Sequence, residues 1–163
     1  MITRRAVLCG CAAAAAWSVG LKSLATAAAA ATFPVARTDA EWRKLLTPEQ
    51  FAVLRESATE RPFSSPLLAE HRAGIFDCAG CDRGLFSSET KFDSGTGWPS
   101  FWAPLRAEAI GTTTDTSLGM ARTAVHCAGC GGHLGHVFND GPPVTGLRYC
   151  MNGVAMTFKP ASA

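Results

Sequence analysis

Two near-identical units, Cys78-Ala79-Gly80-Cys81 and Cys127-Ala128-Gly129-Cys130, constrain this chain more than any other feature. Each places a small residue and a glycine between its thiols, and more glycine follows at Gly84 and at Gly131-Gly132, so each unit can turn tightly and aim two sulfurs at one point. Two such turns supply the four sulfurs of a tetrahedral zinc site, with Zn–S bonds of about 2.3 Å. The interval from Cys81 to Cys127 is well beyond the about 15–20 residues of a zinc ribbon, so the metal is expected to join distant hairpins. Two other readings stand beside zinc: disulfides, the default for paired cysteines in an exported protein, and a redox CxxC, which expects a helix directly after it where this chain has glycine.

Export is suggested by the first residues. Thr3-Arg4-Arg5-Ala6-Val7-Leu8 sets paired arginines ahead of an apolar run that continues through Trp17 to Leu21. The pattern resembles a twin-arginine signal, used by proteins that cross the inner membrane already folded. Residues 1–31 are therefore expected to be a signal peptide, cleaved within about 27–32, with residues 32–163 forming one periplasmic domain. An uncleaved anchor is the alternative, although the run, much of it alanine, is marginal against the about 20 residues of a spanning helix. Cys9 and Cys11 would leave with the signal. Setting aside Arg4, Arg5 and Lys22 leaves a nearly neutral chain, which argues against a nucleic-acid partner.

Past the signal, Asp39 to Leu46 begins with a capping-type residue and predicts a short helix with Trp42, Leu45 and Leu46 on its inner face. Thr47-Pro48-Glu49-Gln50 carries an N-cap, a proline at the first helical position and a Gln three residues after the cap, predicting a second helix to about Glu56. Beyond Pro66 the apolar runs shorten and Gly, Pro and Thr are scattered, the pattern of short antiparallel strands. Gly74–Phe76, Ala121–His126, Leu134–Phe138 and Val154–Phe158 are the expected strand cores.

Of the seven cysteines, Cys150 alone is left without a proposed metal or signal role. Arg148 and Asn152 flank it, and His133, His136 and Asp140 lie upstream. A free thiol of pKa about 8.5 needs a neighbouring cation to be substantially ionised at neutral pH. Such neighbours make Cys150 a candidate nucleophile, and a small buried hydrophobe is an equal alternative. His133 and His136 could also be metal ligands, although four sulfurs already complete a tetrahedron. Phe92 to Trp102 adds two glycines, Gly95 and Gly97, ahead of Trp98, Phe101 and Trp102, a segment suited either to core packing or to a pocket wall for an apolar group.

Taken in order, CxxC, SGTGWPSF, CxxC, GHLGHVF-x-DGP and RYC-x-N resemble the B-type methionine sulfoxide reductases, over roughly Asp39 to Phe158. The resemblance implies a mainly β fold of two antiparallel sheets with short N-terminal helices, and one structural zinc on Cys78, Cys81, Cys127 and Cys130. It implies that Cys150 attacks the sulfur of a methionine-R-sulfoxide in oxidised proteins or peptides. Trp98 would lie against the substrate S-methyl, and His133, His136, Asp140, Arg148 and Asn152 would surround the sulfoxide oxygen and the thiolate; Phe101, from the same aromatic segment, is the second expected substrate-binding residue. His136 is the preferred acid, positioned by His133 and Asp140. Many members carry a resolving cysteine where this chain has Thr96, so an external thiol reductant is expected to return Cys150 to the thiol. Gly153 replaces a serine common in relatives. Two rivals are a zinc-stabilised ligand-binding module, which has no use for Cys150, and a thiol hydrolase built on Cys150 and His136.

Overall fold

The computed structural model describes residues 32–117 and 119–162; the expected export signal lies outside them. Two threonines begin the helices. Thr38 caps α1 (Asp39–Leu45) and Thr47 caps α2 (Pro48–Glu56), each in a capping box closed by the side chain three residues on, Glu41 and Gln50. The cap of α1 is thus one residue before the expected Asp39. Trp42 and Leu46 turn inward, whereas Leu45 is 61% exposed, contrary to the predicted inner face. It stands about 100° round the helix from Leu46, just off the apolar stripe. Phe51, Val53 and Leu54 of α2 are buried.

Nine strands follow among the described residues: β1 (Gly74–Cys78), β2 (Gly84–Ser87), β3 (Lys91–Phe92), β4 (Ser100–Phe101), β5 (Ile110–Asp115), β6 (Arg122–Cys127), β7 (His133–Phe138), β8 (Arg148–Met151) and β9 (Met156–Pro160). They form two antiparallel sheets, ordered β2-β1-β9 and β3-β4-β8-β7-β6-β5. The strand expected from Val154 begins only at Met156. Residues 153–155 form a 3-10 turn instead, because the Glu60 carboxylate accepts the N–H groups of Gly153 and Val154 and diverts them from any ladder. Gly153 itself is seated against Ser65, leaving no space for a Cβ.

The core lies between these layers, with Phe76, Leu85, Phe86, Phe101, Val125, Leu134 and Met151 fully enclosed. Within the larger sheet, alternation assigns the faces. Phe101 pairs with Tyr149, Val137 with Tyr149 and Gly135 with Met151, all on the core side. One residue along, Ser100 pairs with Cys150, Cys150 with His136 and His136 with Ala124, placing these side chains on the opposite face.

Candidate active site and metal centre

The two CxxC units lie at equivalent places in the two sheets. Cys78 ends β1 and Cys81 follows in its turn; Cys127 ends β6 and Cys130 follows in its turn. The four sulfurs all lie within 4.8 Å of one another, with Cys78–Cys130 at 3.7 Å and Cys81–Cys127 at 3.5 Å. All four cysteines are free thiols, and both separations are far longer than the about 2.05 Å of a disulfide. The same separations suit a tetrahedron of 2.3 Å bonds, whose edges are about 3.8 Å. Packed this closely, the thiols cannot ionise independently. Hydrogen bonds from Cys130 and Cys78 hold Cys127 far down, while its bond to Cys127, together with burial, pushes Cys78 far up. A dication removes that conflict by favouring the thiolate at every position. The donor set is that of structural zinc, closed by four sulfurs, and it clamps one sheet to the other.

Cys150 occupies the face opposite the core, at the centre of the larger sheet. With Trp98, His136, Asn152, Thr59, Arg122, Gly135 and Phe138 it lines a cavity of about 130 Å³. That volume admits the end of one side chain, not a ligand of the about 300–1,000 Å³ class. Positive φ at Gly95 (69°) and Gly97 (92°) bends the chain so that Trp98 reaches this wall. The indole N–H donates to the Glu60 carbonyl at 3.2 Å, which fixes the ring.

The structure brings most of the expected residues together but distributes their contacts differently. Arg148 is nearly buried, with its guanidinium over the Phe138 ring at 4.5 Å. Asp140 binds it through two hydrogen bonds of 2.9 and 2.8 Å, which raise the guanidinium pKa; the Cys150 sulfur contributes in the same direction. Arg148 is therefore a permanent cation beside the thiol, and Asp140 holds that cation. Asp140 does not position His136, as the sequence reading expected: its exposed carboxylate is taken by Arg148, whose fork fits it bidentately. Asn152 is a buried strut, donating to the Leu134 carbonyl at 3.0 Å and accepting from Glu60 N–H at 2.9 Å.

Phe101, expected to hold substrate, is wholly enclosed, stacked on Phe86 at 4.4 Å and edge-on to Phe76 at 5.0 Å. It neighbours Ser100, so strand alternation turns it to the face away from Cys150. The aromatic cage of the ligand-binding reading thereby loses one wall.

His133 and His136 are three residues apart and would face opposite sides of a regular strand. The register shifts between Val125 and His126, so that Val125 pairs with Gly135 but His126 pairs with His133, leaving Leu134 as the extra residue of a bulge. That one residue returns both imidazoles to the same face, with ring centroids 5.4 Å apart. His133 lines the adjoining cleft rather than the Cys150 cavity. Burial, reinforced by the charge His136 can carry, pushes His133 down to about 4. It is neutral at neutral pH and cannot be the proton donor there. Because its folded pKa lies below the usual 6.5, the unfolded chain takes up this proton first. The contribution of His133 to stability is complete above about pH 6.5 and is lost as pH falls toward 4. An NMR titration of the imidazole signals is expected to place His133 near pH 4; a midpoint near 6.5 would contradict its burial.

Three contributors were not singled out in the sequence. Asp115, at the end of β5, has its Oδ2 2.8 Å from His136 Nε2, within hydrogen-bond distance. Glu60, in the loop after α2, ties Trp98, Asn152 and the turn after Cys150 together. Ser94 links Thr96 to Ser100 through hydroxyl contacts of 2.8 and 2.7 Å, and Thr96 Oγ1 lies 3.7 Å from Cys150 Sγ. Thr96 thus touches the candidate nucleophile directly.

Known proteins resemble this chain over most of its length. The SelR domain family model matches residues 46–160. A relative from Agrobacterium fabrum, "Peptide methionine sulfoxide reductase MsrB", is 55% identical over 126 residues, covering 77% of this chain and 93% of its own. Relatives of the same name from Pseudomonas putida and Methanosarcina barkeri are 58% and 52% identical, covering 76% and 77% of this chain and 93% and 88% of theirs. With the four-sulfur centre, the Cys150 cavity and this match along most of its length, the chain belongs to the SelR-domain family of B-type methionine sulfoxide reductases.

Proposed function

We propose that this protein reduces the R epimer of peptide-bound methionine sulfoxide, with Cys150 as nucleophile and His136 as proton donor. The observation that carries this reading is the direct cross-strand pairing of Cys150 with His136 over a cavity walled by Trp98. A sulfoxide sulfur is electrophilic but its oxygen leaves poorly, so attack requires protonation of that oxygen. Arg148, held by Asp140, sets a fixed positive charge beside the Cys150 sulfur. The Cys150 sulfur loses two electrons and acquires the oxygen as a sulfenic acid, while the substrate sulfur gains two electrons and departs as methionine. An external thiol then attacks the sulfenic sulfur, releasing water and forming a mixed disulfide. A second thiol displaces Cys150 and leaves as the oxidised reductant. Zinc, when bound, supplies a rigid junction between the sheets.

Chirality follows from three unlike surroundings of a pyramidal sulfur: indole for the methyl, imidazole for the oxygen, and the open mouth of the cavity for the rest of the side chain, with the thiolate entering opposite the S–O bond that breaks. Only one epimer satisfies all three. Incubation with R- and S-methionine sulfoxide peptides and dithiothreitol is expected to consume the R form alone; turnover of both would refute the stereochemical assignment, and binding without turnover would favour the ligand-binding module.

The site of action in this proposal is the periplasm, with oxidised exported proteins as substrates. The Arg4-Arg5 pair and the apolar run after it support that placement. Export in a folded state would also let zinc bind in the reducing cytoplasm before the thiols meet an oxidising compartment.

A further inference from the structure

We propose that Asp115 is a positioning residue for His136, fixing the imidazole with its Nε2–H toward the Asp115 carboxylate so that Nδ1 is the nitrogen serving the sulfoxide oxygen. The inference rests on His136 being the proton donor, and it names the group that makes one of its two nitrogens available.

The sheet register builds the contact. Asp115 pairs with Arg122, Thr113 with Ala124, and Ala124 with His136, so all these side chains rise from one face. Ala124 stands between Thr113 and His136 with only a methyl group, leaving the space across β6 through which Asp115 and His136 meet. The carboxylate is held on both oxygens. Oδ1 accepts the Ser117 N–H at 2.9 Å, and Oδ2 takes Arg122 Nη2 at 2.6 Å beside His136 Nε2 at 2.8 Å.

Chemistry then decides the tautomer. The Ser117 hydrogen bonds, followed by those of His136 and Arg122, hold Asp115 far below the ordinary carboxylate range. An ionised carboxylate can only accept, so the proton of the Asp115–His136 contact belongs to Nε2. Nδ1 has no protein hydrogen-bond partner among the described residues. In the imidazolium it is the free N–H donor, and after proton transfer it is the bare nitrogen. Arg122 shares Oδ2, which offsets much of the carboxylate's charge, so the pair's main effect is orientation and tautomer selection.

The test compares Asp115→Ala, Asp115→Asn, His136→Gln and the Asp115→Ala/His136→Gln double variant, all in zinc-loaded protein of verified Tm. Activity is read with an R-sulfoxide peptide and dithiothreitol. Asp115→Ala is expected to lower kcat about 10²-fold, within the 10²–10⁴ range of a general acid, with KM changed less than about threefold. Nitrogen-15 NMR of wild-type His136 should show the proton on Nε2, and Asp115→Asn, which can fold with the Ser117 contact intact, should show mixed tautomers. In the His136→Gln background, Asp115→Ala should cost nothing further. A wild-type kcat in Asp115→Ala, an unchanged tautomer in Asp115→Asn, or an additive loss in the double variant would overturn the inference while leaving His136 as donor. Full activity in His136→Gln would instead overturn the underlying mechanism.

Discussion

Cys150→Ser is expected to abolish sulfoxide reduction, by at least about 10³-fold, while keeping the zinc and the fold. The substitution replaces one atom on a face turned away from the core, where Cys150 is only partly buried and borders a cavity. No other described cysteine can take over, because the remaining four are gathered in the metal centre. A hydroxyl beside Arg148 stays protonated and is a poor nucleophile toward sulfur. The same residue should be trapped in the wild type: exposure to R-sulfoxide without added thiol, followed by dimedone, is expected to label Cys150 alone. Thr96 offers an oxygen where an internal disulfide would need sulfur, so the oxidised form should contain no disulfide. Substantial activity in Cys150→Ser, or an internal disulfide in the oxidised wild type, would require a different nucleophile or recycling route.

Metal loss is expected to unfold the protein. Each CxxC unit sits at a turn of a different sheet, so the ion closes a junction that four uncharged thiols would hold weakly. Structural zinc contributes on the order of 10 kcal/mol of apparent binding energy, comparable to the whole 5–15 kcal/mol stability of a small domain. Loss of even half of that corresponds to a Tm decrease of about 10–20 °C. Cys127→Ser should therefore lose zinc and melt at least that much lower, and chelation under mildly denaturing conditions should release one zinc per chain. Elemental analysis finding no zinc in gently purified protein, or an unchanged Tm after chelation, would remove the metal from the stability of this fold.

Local chemistry was legible in the sequence where it acts over a few residues. Thr47, Pro48 and Gln50 announced α2 because cap, first-turn proline and capping box are contacts within one turn. The CxxC units were legible as two halves of one centre, since sulfur pairs at such spacing have few other uses. Leu45 and Phe101 were misassigned for a common reason: in both helix and strand, the next residue along faces elsewhere, and only the neighbouring element decides which face is inside. Asp115 was invisible for a different one. It lies 21 residues from His136, and their contact depends on the registers of two successive strand pairs and on the small side chain of Ala124.

From the sequence alone came the inventory: four thiols fit for a metal, one further thiol, an adjacent arginine, two histidines and a glycine-bent aromatic segment. Tertiary structure decided how that inventory is connected. It gave Asp140 to Arg148 and Asp115 to His136, turned Phe101 into the core, and used one bulged residue to bring His133 and His136 to the same face. Residue types and short spacings are fixed along the chain, whereas strand register and bulges are set by cross-strand pairing between distant segments, and a shift of one residue exchanges the two faces.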